Sequence, residues 1–228
     1  MIQKFTVLFD LDGTLVDTAP DLMVAHNHVM KKFGYEERGF SDIKKLAGGG
    51  SKAMLKKSIH TIAELSGKIK KTDEKMEEEM TKEFIDFYSK NINTKSKLIT
   101  GVIEFLDWCK NNSISMAVCT NKQEYLSVDL LKKIKIYHFF DYVAGGNTFN
   151  YNKPNPNHLT DTLEIIGGNI KKTIMVGDSE TDSNAAKAAG IPFVLIEGGY
   201  TEKRTNEIYH DHLVKDFVGL EKIIKKYL

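Results

Sequence analysis

The stretch from Phe5 to Asp17 constrains this chain more than any other. Phe5-Thr6-Val7-Leu8-Phe9 is a short run without polar alternation, the pattern of a strand covered on both faces, and it ends abruptly in Asp10-Leu11-Asp12-Gly13-Thr14. Side chains alternate along a strand, so Asp10 and Asp12 fall on the same side. Both carboxylates can then face one point beyond the sheet edge, where open α/β sheets keep their ligands. Two anions held together repel unless a cation lies between them or one carboxyl stays protonated, and either arrangement suits catalysis. The alternative is a plain polar exit from the strand, with the second aspartate turning the chain before Gly13.

Beyond that stretch the chain has two characters. Thr18 can cap a helix that carries Pro20 in its first turn and Leu22, Ala25, His26 and Val29 at helical spacing. Gly34-Tyr35 ends it, Ser41-Asp42 opens a short second helix, and Gly48-Gly49-Gly50-Ser51 interrupts before a third that begins near Lys52. The run from Lys68 to Met80 is strongly charged but keeps Met76, Met80, Phe84 and Phe87 at three- and four-residue steps, which predicts a helix with a solvated face. After Lys97 the pattern predicts strands over residues 114–120, 140–144, 173–177 and 192–196, with helices over 102–110, 124–133, 157–166 and 183–189. Such alternation argues for a parallel sheet flanked by helices. The strandless helical stretch, residues 18–86, then reads as an insert lying over the carboxyl edge of that sheet. His26 and His28 are expected to be structural or solvated, and Trp108 to be packing.

Composition narrows the partners. Lys and Arg number 32 against 31 Asp and Glu, so there is no electrostatic footprint for nucleic acid or a membrane surface, and a small molecule is the expected partner. The two cysteines, Cys109 and Cys119, lack metal-ligand spacing and suggest a reducing compartment, hence a cytoplasmic location. No stretch approaches ~18 uncharged apolar residues.

Three further polar clusters fall just past predicted strand ends. Thr120-Asn121 offers a hydroxyl and an amide suited to phosphate oxygens, or a simple helix cap. Lys153 stands on the stiff two-proline loop Asn150-Tyr151-Asn152-Lys153-Pro154-Asn155-Pro156-Asn157, and its alternative is an ordinary surface lysine. Gly177-Asp178-Ser179-Glu180-Thr181-Asp182 places three acidic residues in five positions, which repel without a cation unless a helix N-terminus relieves them. Together these groups are the parts needed to hold Mg²⁺ and a phosphoryl group and to move that group.

In that order, Asp10-Leu11-Asp12-Gly13-Thr14, Thr120, Lys153 before Pro154, and Gly177 to Asp182 resemble the four signature motifs of the haloacid dehalogenase superfamily, over the whole chain. Asp17 to Leu22, Lys153 to Pro156, Ala185 to Pro192 and Gly198-Gly199-Tyr200 look most like its phosphoglycolate phosphatase branch. The resemblance implies an α/β fold: a doubly wound, Rossmann-like parallel sheet core over 1–17 and 87–228, with an inserted helical cap domain over 18–86. It implies that Asp10 is the nucleophile forming an aspartyl-phosphate and Asp12 the general acid and base. It implies Mg²⁺ held by Asp10, the Asp12 main-chain carbonyl and Asp178, with Asp182 positioning its waters. Thr120, Lys153, Gly13 and Asn121 are the implied phosphate-binding set.

The cap is expected to test what is attached to the phosphate, with Gly49, Gly50, Ser51 and Lys52 as its candidate specificity loop or else a flexible connector. The expected activity is Mg²⁺-dependent hydrolysis of a small, 2-phosphoglycolate-like phosphate monoester, by a monomer or homodimer. Phosphoglucomutase-type transfer, a phosphatase for sugar phosphates or nucleotides, and a receiver-like phosphoryl switch are the alternatives. In mutases of the family the position of Thr14 is commonly Val, so Thr14 tilts towards hydrolysis.

Overall fold

The computed structural model describes residues 3–39, 42, 46, 51–66 and 74–228. Ser41 and the glycines Gly48, Gly49 and Gly50, on which the second helix and the candidate specificity loop were placed, lie outside them, as does the charged run 67–73.

Six parallel strands form the sheet: β1 (Thr6–Phe9), β4 (Ser115–Cys119), β5 (Tyr142–Ala144), β6 (Thr173–Gly177), β7 (Phe193–Ile196) and β8 (His212–Val214), in the spatial order β5-β4-β1-β6-β7-β8. β1 is central, and its alternate side chains supply two different cores. Val7 and Phe9 enter the larger one with Met116, Val118, Ile174 and Val176; Leu8 enters the smaller with Ala117, Met175 and Phe193. A strand buried on both faces has no solvated side, which is why its sequence shows no alternation.

Helix α4 (Val102–Asn111) and α5 (Glu124–Lys133) cover the Phe9 face through Phe105, Leu106, Leu126, Leu130 and Leu131. Helix α6 (Asn157–Ile165) and α7 (Glu180–Ala189) cover the Leu8 face through Leu159, Leu163, Ala185 and Ala186. Phe9 anchors its side by an edge contact with Phe105 at 6.1 Å and a stacked one with Phe217 at 6.2 Å.

Strand order reverses at β1, because β4 and β5 run to one side of it and β6 to β8 to the other. Such a switch point opens a crevice at the carboxyl ends of the strands. Register decides what reaches it. Phe9 pairs with both Val118 and Val176, so Asp10 lies level with Cys119 and Gly177, and Thr120 and Asp178 project one residue further.

The insert leaves the core through β2 (Val16–Asp17) and returns through β3 (Lys97–Leu98), which pair antiparallel as a two-stranded ribbon. Between them lie α1 (Ala19–Lys32), α2 (Ser51–Ser66) and α3 (Glu74–Lys90). On α3 the buried stripe is Met80, Phe84 and Tyr88, one residue per turn, while the predicted Phe87 is only half-buried and stacks on His28 at 4.1 Å. Helix α3 runs unbroken past residue 86, and the ribbon lies further on, at Leu98. His26 is buried within α1, His28 pairs with Glu83 at 2.8 Å, and Trp108 stacks on Phe105.

A single buried carboxylate fastens the returning chain. Asp21 accepts hydrogen bonds from the main-chain N–H groups of Thr94, Lys95 and Ser96, and from the Ser96 hydroxyl at 2.6 Å. Removing it strands three main-chain donors in a partly buried segment, each costing about 1–3 kcal/mol if no water replaces the acceptor, while the Ser96 hydroxyl can rotate to another partner. Asp21→Ala is therefore expected to lower unfolding stability by roughly 2–3 kcal/mol in urea titration, and Asp21→Asn by less. A loss below about 0.5 kcal/mol would show that solvent satisfies these donors.

Candidate active site

The loop after β1 is closed tightly on itself. Asp10 N–H donates to the Val176 carbonyl, Gly13 N–H to Val16, and the N–H groups of Leu15 and Val16 to Leu11. Gly13 has a φ of +86°, and a Cβ there would lie 2.3 Å from Asp178 Oδ2. Any larger residue would displace that carboxylate as well as strain the turn.

Asp178 is fixed from two sides, by the Thr14 hydroxyl donating to Oδ1 at 3.0 Å and the Tyr200 N–H donating to Oδ2 at 2.6 Å. A Cβ on Gly199 would collide with it, at 2.3 Å. Asp182 has two tasks. Its Oδ2 accepts from Ser179 N–H and Oγ in a capping box at the start of α7, and its Oδ1 accepts from Lys153 Nζ at 2.6 Å. The same ammonium donates to Asp10 Oδ1 at 2.7 Å. Capping, the alternative reading of this acidic cluster, is thus correct for one oxygen of Asp182 and leaves the other for the site.

Carboxylate oxygens of Asp10, Asp178 and Asp182 lie within 4.8 Å of one another, and all three residues are buried. Burial pushes the Asp10 carboxyl up to about 6; Lys153 opposes the shift and Asp182 adds to it. Burial, then the charges of Asp10 and Asp182, raise Asp178 as well. Burial works against the Lys153 charge, but the two carboxylates it bridges hold its ammonium above the usual lysine range. Lys153 is therefore no surface lysine. Three anions share one buried cation, and the remaining partners of Asp178 given above are neutral, so the cluster has the composition of a hard-cation site.

One cavity of about 70 Å³ is lined by Asp10, Asp12, Thr120, Asn121, Lys153, Asp178 and Asp182, so the groups singled out from separate strand ends do converge. Gly13 lies beneath Asp178 instead of in the wall. Thr120 does not cap a helix, since α5 starts at Glu124 after Gln123; its hydroxyl accepts from Lys122 N–H. Asn121 donates from Nδ2 to the Lys153 carbonyl, while its Oδ1 is buried with no hydrogen-bond partner. In the insert, Ser51 begins α2 and Lys52 lies on its exposed side, outside the cavity wall; two residues on, buried Met54 lines it. The expectation for Lys52 is corrected by helix phase: on this helix Met54, Leu55, Ser58 and Ile59 face inward.

Three residues have roles that the sequence does not reveal. Lys122 is buried, with Nζ 2.9 Å from both oxygens of Asp12 and 2.9 Å from the Tyr88 hydroxyl. Its signal was faint: a third polar residue directly after Thr120-Asn121. Thr18, expected to cap α1, makes no cap bond; its hydroxyl donates to Asp12 Oδ1 at 2.7 Å. Tyr200, known only as part of a motif, donates from its hydroxyl to Asp17 and accepts from Ala19 N–H, both at 2.7 Å.

Comparison with known proteins agrees with this architecture. Residues 7–196 match the family model of the haloacid dehalogenase-like hydrolases. The chain is 36% identical to a phosphoglycolate phosphatase of Mesorhizobium japonicum, over 94% of this chain and 92% of that protein. It is 35% identical to one of Agrobacterium fabrum, over 96% and 94%. A crystal structure of a predicted phosphoglycolate phosphatase from Haemophilus somnus superposes with a TM-score of 0.90 at 27% identity, covering 98% of this chain and 99% of that one. With its parallel sheet, its helical insert after the first strand and a family match across most of its length, the chain belongs to the haloacid dehalogenase-like hydrolases.

Proposed function

We propose that this chain hydrolyses a small, 2-phosphoglycolate-like phosphate monoester in a Mg²⁺-dependent reaction, with Asp10 as nucleophile and Asp12 as general acid and base. The observation that carries the reading is the buried trio Asp10, Asp178 and Asp182 around Lys153, at the bottom of a cavity that Asp12 also lines. Its specific form draws on the relatives named phosphoglycolate phosphatase. The same reading divides the chain into a core and a cap spanning about residues 18–86, with substrate entering between them.

In this scheme the phosphoryl group lies against Asp10, its oxygens held by Lys153 Nζ, the Thr120 hydroxyl and the Asn121 amide, over the turn that Gly13 makes possible. An Asp10 oxygen attacks phosphorus as the ester bond breaks, and Asp12 gives its proton to the leaving oxygen. Asp12 then takes a proton from water as that water attacks the aspartyl-phosphate, releasing phosphate and restoring Asp10. Asp10, Asp178 and the Asp12 main-chain carbonyl would hold Mg²⁺, with Asp182 ordering its waters. Bound there, Mg²⁺ offsets the negative charge that builds on the phosphoryl oxygens.

Purified protein with Mg²⁺ is expected to release phosphate from a panel of small esters. Sugar phosphates or nucleoside monophosphates preferred by about tenfold or more in kcat/KM would displace the phosphoglycolate assignment and keep the reaction class. Asp10→Asn is expected to lose kcat by about 10³-fold or more with its melting temperature retained. For Asp12→Asn the loss in kcat/KM, which reports formation of the aspartyl-phosphate and not its base-assisted hydrolysis, should be roughly 10²–10⁴-fold on alkyl esters and much smaller on p-nitrophenyl phosphate, whose leaving group needs no proton. Equal losses on both ester types would remove Asp12 from the acid role.

The metal assignment has a readout independent of turnover. A carboxyl raised in the fold binds its proton more tightly folded than unfolded, so its contribution to stability is present at low pH and lost as pH rises through the folded value, here about 6 for Asp10. Protons and a cation therefore compete for these oxygens. Mg²⁺ should raise the melting temperature at about pH 7.5 and lose most of that effect at about pH 5. An equal shift at both pH values would place the ion elsewhere.

A further inference from the structure

Lys122 is a buried cation of the cavity to which the reaction above gives no task. Its ammonium touches both Asp12 oxygens and the Tyr88 hydroxyl and stands over the Tyr88 ring, 4.5 Å from the centroid. Lys153, the other cation in the wall among the described residues, is taken by Asp10 and Asp182. Lys122 sits where the insert meets the core, and the wall there is otherwise mainly apolar: Leu22 from α1, Met54 from α2, Phe84 from α3 and Leu126 from α5.

An ammonium in such surroundings requires an anion. In the free protein that anion is Asp12, the same carboxylate that must reach the ester oxygen. A substrate with an uncharged tail would have to draw Asp12 away from Lys122 and offer nothing in return. A substrate with an anionic tail supplies the replacement.

Resting on the phosphatase reading, we propose that Lys122, assisted by the Tyr88 hydroxyl, is the specificity site for a carboxylate carried on the alcohol side of the ester. The incoming carboxylate takes the ammonium and leaves Asp12 free to pass a proton taken from water to the leaving oxygen; one ion pair is exchanged for another and no covalent bond changes at Lys122. The substrate class is a short phosphate monoester of a hydroxycarboxylic acid. A cavity of about 70 Å³, the liquid volume of only two or three water molecules at about 30 Å³ each, suits a tail of only a few atoms. Because recognition of the remote carboxylate releases the acid, preference for the charged substrate should show in kcat as well as in KM.

The test compares kcat and KM for 2-phosphoglycolate and for 2-hydroxyethyl phosphate, its uncharged-tail counterpart, with Mg²⁺ present. Wild type should prefer the carboxylate in kcat/KM, Lys122→Met should reduce that preference by about tenfold or more, and Lys122→Arg should retain most of it. Tyr88→Phe, which keeps the ring and loses only the hydroxyl, should reduce the preference by a smaller factor. It decides the question if Lys122→Met does not fold. Equal losses on both esters in Lys122→Met, or an undiminished preference in Lys122→Met or, if that variant does not fold, in Tyr88→Phe, overturn the proposal and leave the phosphatase reading standing. Wild type that hydrolyses other phosphate monoesters but neither of these overturns the proposal, and wild type that hydrolyses no phosphate monoester overturns the phosphatase reading itself.

Discussion

The site depends on one buried ammonium. Lys153 Nζ lies 2.7 Å from Asp10 and 2.6 Å from Asp182, groups brought in from the end of β1 and the first turn of α7, with the lysine itself arriving on the loop after β5. Without it, carboxylates gathered this closely would have to take up protons or move apart. With it, Asp10 is still pushed up to about 6 by burial, so the cluster remains short of positive charge. That shortage leaves an acidic cluster that could hold a metal ion, instead of a sealed structural ion pair.

Around this charge balance the fold provides rigidity. Asp178 is gripped by Thr14 and the Tyr200 main chain, and the glycines at 13 and 199 let it sit against both loops. The Tyr200 side chain then reaches the start of the insert, bonding Asp17 and the Ala19 N–H. One residue therefore ties an acid of the cluster to the ribbon by which the insert leaves the core. Asp12 stands at the other side of the cavity, held by Thr18 at that same exit and by Lys122. Two of the four cavity aspartates are thus fastened to the junction between sheet and insert, and the second crossing is fastened by Asp21.

Much of this was legible in the sequence because it is local. A strand buried on both faces shows as an unbroken apolar run, and β1, β4, β6 and β7 fall within a residue or so of the segments predicted. The two-residue ribbon β2–β3 and the short strand β8 were not anticipated: they carry too few residues to show a period, and they form only because tertiary neighbours pair with them. Thr18 and Thr120 look like helix caps by residue type, yet neither makes a cap bond: the Thr18 hydroxyl is engaged by Asp12, and Thr120 lies ahead of α5, which starts only at Glu124.

The sequence by itself determined the alternating α/β core, the helical insert after the first strand, and the acids, hydroxyl and lysine at the strand ends, since residue order and periodicity specify these without reference to distant contacts. The tertiary structure alone decided which oxygen meets which cation. Lys122 is one lysine among many until packing buries it between Asp12 and Tyr88, and Lys52, plausible by its place beside a glycine run, is turned outward by the phase of its helix. Burial and pairing depend on residues far apart in the chain, and no local pattern encodes them.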